Sequence, residues 1–177
     1  MRILVSNDDG YQAEGIKQLT LALSEIAEVI IVAPNENKSA ASSSLTIGKP
    51  LKPIQIEHNI YSIDATPSDC VHLALCGFIK DPIDLVVTGI NLGANLGDDV
   101  IYSGTVAGAI EGRFLGLPSI AISLASWQCK YFETAATIAM RLVEKIEKAP
   151  LSHNTIINVN VPDVPIGDIK GIKSTRL

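Results

Sequence analysis

A chain of 177 residues, 47% hydrophobic and 19% charged, has the apolar material for one well-buried domain and too little length for two, which excludes disorder and a multidomain plan. A formal net charge of −5, with no Lys/Arg cluster along any predicted helix face, excludes duplex nucleic acid as the main partner. Cys70, Cys76 and Cys129 form no CxxC pair, no apolar run can span a bilayer, and Asp8 and Asp9 arrive before a signal peptide could develop. The expectation is a cytoplasmic chain with free thiols and no membrane partner.

The elements alternate along the chain. A strand is predicted over Arg2–Ser6, then a helix in "EGIKQLTLALSEIAE", where Ile16, Leu19, Leu23 and Ile26 recur at helical spacing. "VIIVAP" is a continuous β-branched run, as expected of a strand covered on both faces. After the polar loop "NENKSAASSS" come short strands near 54–56 and 61–63. "TPSDCVHLALCGF" starts a helix, with Thr66 as N-cap and Pro67 in the first helical position. "DLVVTGI" is a buried strand and "SGTVAGAIEGRFLG" a helix of small residues able to lie close to a sheet. "SIAISLA", "YFETAATIAMRLVEKIEK" and "TIINVNVP" complete the pattern as strand, helix and strand, and the tail "GDIKGIKSTRL" is read as a strand that stops short, in a chain that continues in the natural protein. Such alternation predicts a parallel, doubly wound α/β sheet in a single domain, 1–177.

In open α/β sheets the ligand crevice lies beyond the carboxyl ends of the strands, which directs attention to three polar segments. Asp8 and Asp9 follow the first strand, and adjacent carboxylates lose much of their repulsion when a divalent cation sits beside them. The plainer reading is acids in a turn that starts a helix. In "GINLGANLGDD", Asn91 and Asn95 are each followed two residues later by glycine; their carbonyls suit a metal and their amides a phosphate, unless the segment is only a glycine-rich turn. Ser103-Gly104-Thr105 opens a helix, whose free N–H groups suit phosphate as well as simple capping. Ser39 in the Ser-rich loop either completes an oxygen-rich metal shell or is merely solvated. His58, His72 and His153 lack metal-ligand spacing, and with Trp127 they are read as packing or surface residues. A dinucleotide fingerprint, a nucleophile elbow and a P-loop lysine motif are absent.

Together "ILVSNDDG", "VAPNENKSAASSSLT", "TPSDCV", "VVTGINLGANLGDDVIYSGTVAGAIEG", "LPSIAISL" and "NVNVPD" closely resemble the SurE survival-protein family of nucleotidases, over nearly the whole chain. The resemblance implies a three-layer Rossmann-like doubly wound sheet, mostly parallel, and hydrolysis of nucleoside 5′- and 3′-monophosphates. It implies one divalent cation, Mn²⁺ or Mg²⁺, held by Asp8, Asp9, Ser39 and Asn91, with the two aspartates catalytic. Asn95, Ser103, Gly104 and Thr105 then approach the phosphate. Asn35 and Lys38 depart from the aspartate or arginine usual in that loop, and neither removes a ligand. Family members are longer, and their C-terminal part, which begins about where this chain ends, builds homodimers or homotetramers.

Two rival readings come from other classes: a receiver-like Mg²⁺-binding module and a non-catalytic binding protein. A receiver needs an aspartate after its third sheet strand and a lysine after its fifth. Here "DLVVTGI" runs into Thr88 and Asn91, and no lysine follows "SIAISLAS" before Lys130.

Overall fold

A computed structural model describes residues 1–152 and 154–175; the sequence reading of His153 falls outside the described residues, as do Arg176 and Leu177. The elements run β1 (Arg2–Ser6), α1 (Glu14–Leu23), β2 (Glu28–Pro34), β3 (Ile54–Glu57), β4 (Ile60–Ile63), α2 (Pro67–Leu73), β5 (Leu85–Leu92), α3 (Gly104–Phe114), β6 (Ser119–Leu124), α4 (Phe132–Lys148) and β7 (Ile156–Val161). They form one sheet in the order β3-β4-β2-β1-β5-β6-β7. Every pairing is parallel except the β3–β4 hairpin at one edge.

The all-apolar strands follow from burial on both faces. In β1, Ile3 and Val5 join the cluster built with Leu19 of α1 and Ala135 of α4, while Leu4 joins Ile30, Val86 and Val71 on the opposite face. Helices α1 and α4 cover one face and α2 and α3 the other, giving three layers. The small residues of α3 permit its close approach, as the sequence suggested: a Cβ on Gly108 would stand 2.9 Å from Thr88 Cγ2.

Helix α2 begins on the expected cap. Thr66 accepts from the Asp69 backbone N–H, and the Asp69 carboxylate accepts from the Thr66 N–H. The helix does not stay regular through "LALCGF", however. From Ala74 to Phe78 the turn widens to π geometry around Gly77, a weak helix former, and Phe78 meets the Tyr61 ring edge-on at 4.9 Å.

The tail also departs from expectation. Ile166–Asp168 is a 3₁₀ turn, and residues 169–175 form no strand. Ile169 still packs against the core, but Ile172 is exposed, so little apolar burial holds the segment along the sheet, and an unpaired strand gains no ladder hydrogen bonds.

The chain leaves β1 toward β2 on one side and later places β5 on the other. The switch point is therefore the β1/β5 boundary, where Ser6 pairs with Thr88. Asp8 and Asp9 emerge there, beside the carboxyl end of β5.

Candidate active site

Asn7 shapes the turn after β1. Its side-chain amide donates to the Gly10 carbonyl at 2.9 Å and its Oδ1 accepts from the Gly10 N–H at 3.2 Å. The chain thereby stops being a strand, and the two following acids need not point to opposite faces of the sheet.

Asp8 is 3% exposed. Thr105 Oγ1 donates to its Oδ1 at 2.5 Å, and the nearby backbone N–H groups of Gly104 and Thr105, at the start of α3, favour its charged form. A helix N-terminus thus holds this anion. Burial nevertheless pushes the Asp8 carboxyl above its ordinary range, outweighing those donors. Gly104 makes the fit possible, because a Cβ there would lie 2.8 Å from Asp8 Cβ.

Asp9 is less well served. Asn37 Nδ2 donates to its Oδ1 at 3.2 Å, and the nearby Leu92 N–H favours its charged form. Its Oδ2 is buried without a hydrogen-bond partner among the described residues. Burial first, and the neighbouring Asp8 charge second, push its carboxyl up to about 6, against the opposing Leu92 N–H.

The loop after β2 is laced to this pair. Its Lys38 N–H donates to the Asp8 carbonyl at 2.7 Å, and Asn37 Oδ1 accepts from the Ser39 N–H at 2.8 Å while its amide holds Asp9. Ser39 is brought alongside by its backbone; its exposed hydroxyl makes no hydrogen bond to the acids. Asn91, at the end of β5, donates from Nδ2 to the Gly93 carbonyl at 2.8 Å, so the turned amide has its Oδ1 left as the acceptor.

Asn95 is fixed on the β6–β7 side instead. Its N–H donates to Asn160 Oδ1 at 2.8 Å, its carbonyl accepts from Asn158 and Asn160 amides, and its own Nδ2 donates to Ser123 Oγ at 2.8 Å. No hydrogen bond joins it to the acids. Ser103 Oγ accepts from the Val106 N–H at 3.1 Å and caps α3.

Sequence reasoning missed Asn7, Asn37, Asn158 and Asn160. The last two carried a signal: asparagine at alternate positions of "NVNV" gives a half-buried edge strand one polar face, which needs a partner. The other histidines follow their plain reading. His72 Nδ1 lies 2.8 Å from Glu111 Oε1 across the α2–α3 packing, and His58 sits in the β3–β4 turn. All three cysteines are free thiols.

A divalent cation fits these groups. Asp9 presents a buried, unpartnered carboxylate oxygen beside a second buried carboxylate, and no Lys, Arg or His is among the groups acting on either. Among the described residues no three His, Cys, Asp or Glu side chains converge, so two carboxylates plus neutral amide and hydroxyl oxygens form the donor set. All-oxygen sets suit hard cations such as Mg²⁺ and Mn²⁺.

The family model described as "Survival protein SurE" matches residues 3–177. The chain belongs to the SurE family. A protein named 5′-nucleotidase SurE from Ruthia magnifica subsp. Calyptogena magnifica is 70% identical over all 177 residues, which span 72% of its length. One of the same name from Legionella pneumophila (strain Paris) is 58% identical, the match again covering this whole chain and 70% of the relative. The crystal structure of the SurE protein from Aquifex aeolicus superposes with a TM-score of 0.93 at 43% identity, over 98% of this chain and 71% of that one. The SurE fold, a mostly parallel seven-stranded sheet between helical layers, is therefore shared.

Proposed function

We propose that this SurE-family chain hydrolyses nucleoside 5′-monophosphates, and 3′-monophosphates, to nucleoside and phosphate in the crevice between the ends of β1 and β5. The relatives named 5′-nucleotidase supply the reaction class. The observation that carries the reading to this site is the unpartnered, buried Asp9 Oδ2 beside Asp8. One cation, Mn²⁺ or Mg²⁺, is held by Asp8, Asp9, Ser39 and Asn91. When bound, it supplies polarisation of a phosphoryl oxygen and a lowered pKa for water.

The protein's own groups divide the remaining work. Asp8, held at Oδ1 by the Thr105 hydroxyl at the start of α3, is the fixed anchor and keeps its second oxygen for the cation. Asp9 has the free acceptor capacity at its buried Oδ2, and as a carboxylate beside the site of water attack it is placed to take the water's proton. Ser103 uses its oxygen only as an acceptor from Val106, so its O–H remains to donate to a phosphate oxygen. Asn95 has committed one amide hydrogen to Ser123 and retains the other. Thr105 spends its hydroxyl on Asp8, so its contribution and that of Gly104 to the phosphate come from the backbone at the start of α3. With Ser103 and Asn95, these donors are set before the reaction and so stabilise charge as it develops.

Residues 1–177 are read as one nucleotidase domain, the core of a longer architecture that assembles as a homodimer or homotetramer in the cytoplasm. No helix among the described residues is long and apolar enough to cross a membrane.

Folded protein given AMP or GMP with Mn²⁺ should release phosphate, and EDTA should stop it. No release from any nucleotide or from p-nitrophenyl phosphate sinks the reading. Asn95→Ala should leave Mn²⁺ affinity in place and raise the KM for AMP, because it removes a donor and no ligand. Lost Mn²⁺ binding in a folded variant would move Asn95 into the cation shell.

A further inference from the structure

Trp127 is the chain's only tryptophan, and at 81% exposed it is poorly explained as packing. Its position is specific. A Cβ on Gly93 would lie 3.0 Å from Trp127 Cη2 and Cζ3, and Gly93 adopts φ +95°, so only glycine lets the six-membered ring settle against this backbone. The same three-residue stretch borders the acidic site: the Leu92 N–H stands near the Asp9 carboxylate, and Asn91 Nδ2 donates to the Gly93 carbonyl at 2.8 Å. Two residues span at most about 7 Å, so the ring stands within a nucleoside's reach of Asn91.

The ring is also held in advance of any ligand. Its loop is tied at both ends, the Ala125 N–H donating to the Val161 carbonyl at 2.7 Å and the Tyr131 N–H to Asp163 at 2.8 Å. Within it, the Gln128 N–H donates to Ser126 Oγ at 3.1 Å. One part of the indole rests on Gly93 and the rest is open to solvent, at the carboxyl edge of the sheet where β5 and β6 end.

Resting on the nucleotidase reading above, we infer that Trp127 is the platform on which the nucleobase of the substrate stacks once its phosphate is seated near Asp8 and Asp9. Every base has a π-face, so this contact favours nucleotides over base-free phosphate monoesters without strongly selecting among bases. It makes Trp127 a specificity determinant, separate from the groups that handle the phosphate.

The test compares AMP with ribose 5-phosphate. In Trp127→Ala, the ratio of kcat/KM for AMP over ribose 5-phosphate should fall about 5- to 150-fold, and Trp127→Tyr should restore most of it. In the wild-type protein, AMP should quench the single indole's fluorescence and ribose 5-phosphate should not. An unchanged ratio in a folded, active Trp127→Ala overturns this inference alone. So does a blue shift of the emission that depends on protein concentration without nucleotide, which would assign the ring to a contact between copies. If the wild type cleaves neither compound, the nucleotidase reading fails first and takes the inference with it.

Discussion

Asp9→Asn should abolish nucleotide hydrolysis and, in EDTA above pH 6, make the protein more stable than wild type. Both effects follow from one feature, a carboxylate kept charged where the fold gives it too few partners. The variant keeps the shape and the acceptor oxygen, and loses the negative charge. A bound cation contributes several kcal/mol of charge stabilisation, so weakening its hold should lower kcat/KM on the order of 10³-fold or more.

The stability effect has the opposite sign. Asp9 is raised from an ordinary 3.8 to about 6, so between those values the folded state binds a proton that the unfolded state has released. Stability is therefore lost as pH rises toward 6, and the whole penalty is present above it. That rise corresponds to at most about 3 kcal/mol, and solvent contact at half-buried Asp9 reduces it to about 1–2 kcal/mol. For a chain of this size the variant's Tm should exceed wild type by about 2–8 °C at pH 8, and the difference should vanish below about pH 4. Saturating Mn²⁺ should reverse the order, since ligand at 100 times Kd adds about 2.7 kcal/mol to the wild type alone. An Asp9→Asn protein less stable than wild type at pH 8 in EDTA would show that the fold already compensates this charge.

What the sequence displayed was whatever depends on short-range pattern. The β1, β2, β5 and β6 runs are apolar because two helical layers cover them, and that burial is visible as a β-branched run. Thr66-Pro67 announced its helix because a cap acts over three residues. The acids after β1 and Ser103-Gly104-Thr105 before α3 were legible as separate turns, and the topological switch explains why they meet. Their relation was not legible: Thr105 bonds Asp8 across 97 positions, so a residue assigned to the phosphate proves also to position a carboxylate. The Asn95 cluster with Asn158 and Asn160 depends likewise on register between distant strands. In sequence Trp127 reads as a packing or surface residue, because nothing local shows that Gly93 lies beneath it. The tail misled for the same reason, since alternating apolar residues imply a strand only when a neighbouring strand exists to receive it.

Gly104→Ala should yield a folded protein with kcat/KM for AMP lowered about 100-fold. Alanine is the better helix former by up to about 1 kcal/mol, and Gly104 shows no left-handed φ, so local propensity alone predicts a gain. Packing opposes it. The added methyl would lie 2.8 Å from Asp8 Cβ and 3.0 Å from its Oδ2, and Pro67 Cγ at 3.2 Å closes the other side. Asp8 is buried and tied to Thr105, so it cannot simply swing away; overpacking of this kind costs about 1–3 kcal/mol. The cost exceeds the propensity gain, and the net loss in a thermal melt should be about 1–2 kcal/mol. Relief comes from sliding α3 or Asp8, and a 1 Å error in a reacting constellation is worth about 100-fold in rate. Gly167→Ala is the control, because no atom lies within 4 Å of the Cβ it would carry; it should change neither melt nor turnover. Full activity in Gly104→Ala would mean that the contact between the α3 N-terminus and Asp8 does not set the reactive geometry.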